Sequence, residues 1–216
     1  MEQQRILSPR AAGRNVSVED LIEKFADFKP IETDIRGDHD LNIGFDPDPS
    51  NREAAVLIPI VKRIEGLTVL FTKRTDHLSN HPGQISFPGG HTEEEDESAN
   101  HAALRETEEE VGLPPSYVQV IGHLNDYVTR TGFRITPVIG LVDVPFPIEP
   151  DPHEVAEVFE VPLSFLMDEA NHQKCSRVFM GKTRYFWAIP YDDYYIWGAT
   201  AGMMRNFYEL LQGDEI

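Results

Sequence analysis

Cysteine is nearly absent from this chain. Cys175 is the single one among 216 residues, so no internal disulfide can form and a reducing compartment suits the protein. Positive charge is scarce too: 19 Lys and Arg stand against 37 Asp and Glu, a formal net charge of −18. A body so acidic is repelled by nucleic-acid backbones and by anionic membrane surfaces, which excludes both as partners. No apolar run reaches transmembrane length, and the opening MEQQRILSPRAAGRN lacks the hydrophobic stretch of a signal peptide. The expectation is a soluble protein of the cytoplasm. No internal repeat or low-complexity tract divides the chain, and its length suits one well-cored domain plus an appendage.

What the chain has in excess is acid in one place. Phe87 to Leu113, FPGGHTEEEDESANHAALRETEEEVGL, holds nine acidic residues. Glu106, Glu109 and Glu110 stand at i, i+3 and i+4, which stacks them on one side of a helix where like charges destabilise it. A hard divalent cation, Mg²⁺ or Mn²⁺, would neutralise them, because such ions take carboxylate oxygens and share their coordination with substrate phosphate. The bland alternative is a solvated acidic face. Ala103, Leu104, Thr107 and Val111 recur at helical spacing, so the other flank is expected to face a core. Asp96 or Ser98 can cap the start, the acids at 93 to 97 suit the positive end of the helix dipole, and Gly112 with Pro114 and Pro115 ends the helix. Pro88-Gly89-Gly90 forms a tight loop whose glycines let backbone approach a ligand or metal closely.

Elsewhere the chain reads as mixed. Residues 1–16 form a loose arm, Ser17 with Asp20 caps a short amphipathic helix, and Lys29 to Asn51 is a connector. AVLIPIVKR and LTVLFT flank a hairpin turn at Glu65-Gly66, a strand at Ile85 to Phe87 leads into the glycines, and CSRVFMGKTRYFWAI pairs around Gly181-Lys182. A last helix runs from about Gly198 to Leu211. The pattern predicts an α/β fold in which a mixed central sheet lies between helices.

The acidic stretch resembles the Nudix box, G-x5-E-x7-R-E-U-x-E-E-x-G-U with U aliphatic. Arg105, Glu106, Glu109, Glu110, Gly112 and Leu113 match, Thr107 takes the first aliphatic slot, and Glu97 stands eight positions before Arg105. Gly90 lies seven residues before Glu97, one more than the standard box, and such an insertion is familiar from the coenzyme A diphosphatase branch. FTKRTDHLSNHPGQISFPGG resembles that branch's upstream signature through Thr72, Arg74, Gly83, Phe87, Pro88, Gly89 and Gly90. It departs at Thr75, where Ser or Ala is usual, and at Ser79, where a second arginine is usual. IWGATAG, near the end of the chain, is similar to the same branch.

The resemblance implies a Nudix-type α/β/α sandwich over 51–216, with 1–50 as arm, helix and connector. It implies hydrolysis of a phosphoanhydride in a nucleoside diphosphate linked to another group, with coenzyme A giving 3′,5′-ADP and 4′-phosphopantetheine. ADP-ribose, NADH or dinucleoside polyphosphates are the rival substrates, and a non-catalytic nucleotide sensor is the reading from another class. Metal ligands would be Glu106, Glu109, Glu110 and the Gly89 carbonyl, with Mg²⁺ or Mn²⁺. Arg105 would pair with Glu97 or a neighbouring box carboxylate to hold helix and loop in register. The general base is Glu154 or a box glutamate; Glu157 is next in line, and solvated acids on a capped helical turn are the alternative for Pro150 to Leu166. Arg74, Arg130 and Arg134 are the candidate substrate-binding residues, the last two being equally readable as plain surface arginines. His77 and His81 sit in the upstream signature as candidate substrate sensors, and His153 reads as surface. The aromatic tail from Tyr185 to Trp197 can stack on an adenine or pack in a core or interface. A homodimer is the assembly the resemblance admits.

Overall fold

The computed structural model describes residues 15–31, 34–42, 52–78 and 81–213, so most of the N-terminal arm and the departure at Ser79 lie outside the described residues. Helix α1, Val18–Asp27, starts with the expected capping box, in which the Asp20 N–H donates to Ser17 Oγ at 3.1 Å and the Ser17 N–H to Asp20 Oδ2 at 3.0 Å. Its buried Leu21 and Phe25 enter the main core, with the Phe25 ring 6.1 Å from Phe207. The expected connector is not structureless. Strand β1, Arg36–Gly37, runs parallel to a strand ninety residues further on.

Strands β2, Arg52–Arg63, and β3, Gly66–Arg74, form the first hairpin. Its loop is Ile64-Glu65, one residue earlier than expected, because Gly66, at φ 128°, is the first residue of the returning strand. Strands β4, Ile85–Ser86, and β5, Gly89–His91, lead to helix α2, Ala99–Val111. Then come β6, Val118–His123; β7, Tyr127–Val128; β8, Phe133–Val142; and β9, Val155–Pro162. Glu157 thus lies on a strand, since Val155, Phe159 and Val161 are needed inside. Glu154 instead belongs to a single capped turn, in which the Glu154 and Val155 N–H groups donate to the Asp151 carbonyl at 3.1 and 2.8 Å and the His153 N–H to Asp151 Oδ1 at 2.8 Å. Short helix α3, Leu163–Leu166, precedes β10, Gln173–Phe179; β11, Lys182–Tyr191; β12, Tyr194–Trp197; and helix α4, Ala199–Gln212. The turn between β10 and β11 is Met180-Gly181, again one residue early.

β1 to β9 form one mixed sheet, in which β2 pairs with β8 in parallel and with β3 antiparallel. β2 is apolar on both faces, as a strand covered from two sides must be. Ala55 and Leu57 meet Ala102 and Ala103 of α2 on one face. Ile58 and Ile60 belong on the other to the cluster that holds Met203, Met204 and Phe207 of α4. The expected helix, sheet, helix layering follows. β10, β11 and β12 form a separate three-stranded sheet.

Candidate metal and substrate site

Helix α2 mounts the acidic trio. Ser98 caps it, its Oγ accepting from the His101 N–H at 3.2 Å, and Gly112 ends it at φ 69°. The buried stripe is Ala102, Ala103, Thr107, Glu110 and Val111, so one of the trio belongs to the inner side. The three carboxylates therefore differ in surroundings. Glu110 is 6% exposed, Glu106 is half-buried with its carboxylate against Gly90, and the Glu109 side chain is 60% exposed. Burial, assisted by Glu154 and Glu106, pushes Glu110 up to about 7 against the opposing pull of the Gly89 N–H and Arg74. Burial also raises Glu106, with Glu109 and Glu154 adding to it and Arg105 working against it.

Arg105 ties the glycine loop to the helix. It reaches Asp96 at 2.9 Å, Glu106 at 3.0 Å and Glu109 at 3.2 Å, and donates to the His91 carbonyl at 3.1 Å. Of the two expected alternatives, the neighbouring box carboxylates Glu106 and Glu109 are the partners and the exposed Glu97 is not; the loop acid that Arg105 meets is Asp96, whose side chain is 1% exposed. The hydrogen bond from Arg105 draws the Asp96 carboxyl down to about 2. Counted from Gly90, Asp96 is the acid at standard box spacing, so the extra residue falls after it. That count was the available signal for Asp96.

Gly89, the first residue of β5, pairs with Val56 of β2 so closely that a Cβ would collide with the Ala55 carbonyl, and its N–H donates to Glu110 Oε2 at 3.2 Å. The Gly89 backbone is thereby held against a box glutamate. Arg74, at the end of β3, lies 3.7 Å from Glu110 and 4.0 Å from Glu154. Glu157 is instead engaged by the Tyr194 hydroxyl, which that contact pushes up to about 12.

A cleft of about 350 Å³ opens beside these groups, lined by Arg74, Gly89, Phe133, Arg130, Arg177 and Trp197 among others. Arg74 and Arg130 are thus brought together. Arg134 is not: it bonds Asp126 and faces a different cleft beside Ser98 and Asn100, on the α2 side of the sheet. His81 lines the cleft, whereas His153 is exposed. Of the aromatic tail, Trp197 reaches the cleft, while Tyr194 stacks on Phe159 at 3.7 Å and Tyr191 meets Phe165 at 4.9 Å. Asp38 also lines it, accepting from the Tyr127 hydroxyl and the Arg130 N–H at 2.9 Å each; the sequence held no sign of this.

The donor set suits a hard divalent cation in kind. Among the described residues Glu106, Glu109, Glu110 and Glu154 share only Arg74 and Arg105 as positive partners, and Arg105 is also claimed by Asp96. In position the set is open. Among the described residues no three acidic, His or Cys side chains converge closely enough to hold an ion. Glu109 is the most exposed member and is held by Arg105 at 3.2 Å.

The NUDIX domain family matches residues 51–180. The chain belongs to the Nudix family. An uncharacterized Nudix hydrolase of Escherichia coli, NudL, is 43% identical over 158 residues, covering 73% of this chain and 81% of the relative. NudL of Shigella boydii matches with the same identity and coverage. Among solved structures, the Nudix hydrolase RenU of M. smegmatis is 20% identical, covers 75% of this chain and 87% of its own, and superposes with a TM-score of 0.49. As a Nudix hydrolase, the chain acts on phosphoanhydrides of nucleoside diphosphate derivatives. Its family generally uses divalent metal ions. No helix among the described residues is long and apolar enough to cross a membrane.

Proposed function

We propose that this Nudix hydrolase cleaves the diphosphate of coenzyme A or its derivatives, releasing 3′,5′-ADP and 4′-phosphopantetheine. One observation carries the reading. Arg74, a fixed position of the upstream signature that resembles the coenzyme A diphosphatase branch, bridges towards Glu110 and Glu154 and also lines the cleft.

Glu106, Glu109 and Glu110 would hold Mg²⁺ or Mn²⁺, with the Gly89 backbone beside them. A cation bound there supplies positive charge to the phosphate oxygens and lowers the pKa of a coordinated water. Glu154, outside the helix and with its side chain 48% exposed, is the general base. It takes the proton of the attacking water as the new P–O bond forms, and the bridging oxygen leaves on the other phosphate. Arg74, 4.0 Å from Glu154, meets that phosphate's charge. Arg105, locked to Asp96, holds α2 and the glycine loop in register. Such chemistry is mainly positioning and charge neutralisation.

The test is a panel of coenzyme A, ADP-ribose, NADH and dinucleoside polyphosphates with Mg²⁺ or Mn²⁺, with products identified by mass spectrometry. Coenzyme A is expected to have the highest kcat/KM and to give the two named products. Faster turnover of ADP-ribose or NADH overturns the substrate assignment, and no turnover of any member favours a sensor.

A further inference from the structure

The small sheet reverses the charge of the chain. From Ala170 to Tyr191 there is no Asp or Glu, while Lys174, Arg177, Lys182 and Arg184 fall there, in a protein of net charge −18. Arg177 and Arg184 are direct partners in the antiparallel register of β10 and β11, so both rise from one face of the sheet. Like charges placed opposite each other in this way are destabilising. The Arg184 Nε is buried and has no hydrogen-bond partner. Arg36, Arg63, Arg74, Arg105, Arg134 and Arg205 each meet a carboxylate, whereas Arg177 and Arg184 form no ion pair among the described residues.

Aromatic planes hold this charge in place. The Arg177 guanidinium lies 5.0 Å from the centre of the Trp197 ring, and Arg177 and Arg130 both lie against Phe179, at 5.9 and 4.3 Å. A guanidinium stacked on a ring keeps its N–H edge for a planar or tetrahedral anion. Arg130, Arg177 and Trp197 line the same cleft as Arg74 and Gly89, which border the carboxylates. The cleft therefore has a carboxylate boundary at Arg74 and Gly89 and, apart from it, Arg177 of the small sheet with Arg130 of the β7–β8 loop, whose backbone N–H is held by Asp38.

We infer that Arg177, with Arg130 beside it and Arg184 opposite, binds a phosphomonoester carried on the substrate's nucleotide, apart from the diphosphate that is cleaved. This rests on the reading above for the identity of the diphosphate and adds the residues that select among its carriers. A nucleotide with that extra phosphate relieves the repulsion between Arg177 and Arg184 and gains charge-assisted hydrogen bonds that its unphosphorylated counterpart lacks.

Calorimetric titration of the full chain in EDTA with adenosine 3′,5′-bisphosphate and with AMP reads this directly, since neither probe has an anhydride to cleave. The bisphosphate is expected to bind about ten-fold more tightly or better. Arg177→Gln reduces the preference to within about two-fold with AMP affinity unchanged, Arg177→Lys keeps part of it, and Arg184→Gln weakens it. Thermal melts establish that each variant is folded. Equal affinities in the wild type, an intact preference in both glutamine variants, or parallel loss of both probes in Arg177→Gln overturns the inference. The two readings separate cleanly: a bisphosphate preference without turnover of coenzyme A removes the substrate assignment alone, and turnover of coenzyme A without the preference removes this inference alone.

Discussion

Arg105 grips Asp96 through two parallel bonds, Nη2 to Oδ2 at 2.9 Å and Nε to Oδ1 at 3.1 Å, and leaves Glu97 in solvent. A forked, buried pair of this kind fixes geometry as well as contributing energy. Asp96→Asn should therefore cost about 2 kcal/mol of stability, while Glu97→Gln stays within about 0.5 kcal/mol. Denaturant unfolding of the two variants checks the contrast, and equal losses would return the loop pairing to Glu97.

Glu109 is the most exposed of the trio and among the described residues bonds only Arg105, so its removal leaves the core untouched. Glu109→Gln is expected to keep the melting temperature within a few degrees while turnover falls by about 10²-fold or more. A rate near that of the wild type in Mg²⁺ would remove Glu109 from the chemistry.

Gly90 lies against the Glu106 carboxylate, where a Cβ would collide with it. The obstacle is the end of a flexible side chain, not backbone, so Gly90→Ala should be cheap in stability and expensive in turnover. The expected result is an unfolding midpoint close to the wild type with kcat/KM reduced by about ten-fold or more. A destabilised but fully active variant would contradict it.

Glu160 gives the pH dependence of stability its clearest handle. Burial alone would raise its carboxyl, but hydrogen bonds from Arg63 and Thr68 outweigh burial and lower it. A folded-state value below the unfolded one contributes stability above the ordinary carboxylate range and loses it as pH falls through the folded value. Glu160→Gln should be the less stable protein at pH 7, by about 1 kcal/mol, with the gap closing below about pH 4. Melting curves across that range decide it; a constant gap would mean that packing, not charge, is lost.

The site was legible where it rests on helical spacing. Glu106, Glu109 and Glu110 follow from i, i+3 and i+4, and Ser98 and Gly112 follow from capping rules. It was less legible where the register depends on a turn. Both hairpin loops sit one residue early because Gly66 and Gly181, at φ 128° and 72°, close the turns. Arg130 and Arg134 are four residues apart, which on an unbroken strand would give them one face. The turn through Gly132 intervenes, β8 begins at Phe133, and Arg134 emerges on the α2 side. Asp38 reaches the Arg130 N–H from 92 positions earlier in the chain, a contact that only the tertiary fold creates.

The most direct test of the account is a Mn²⁺ titration followed by electron paramagnetic resonance, in which bound ion loses the sharp signal of free ion. The wild type should remove Mn²⁺ from the free pool stoichiometrically, and the folded triple variant Glu106→Gln, Glu109→Gln, Glu110→Gln should leave the free signal intact. Equal uptake by both proteins would show that the helix α2 carboxylates are not the cation site, and the proposed chemistry would lose its foundation.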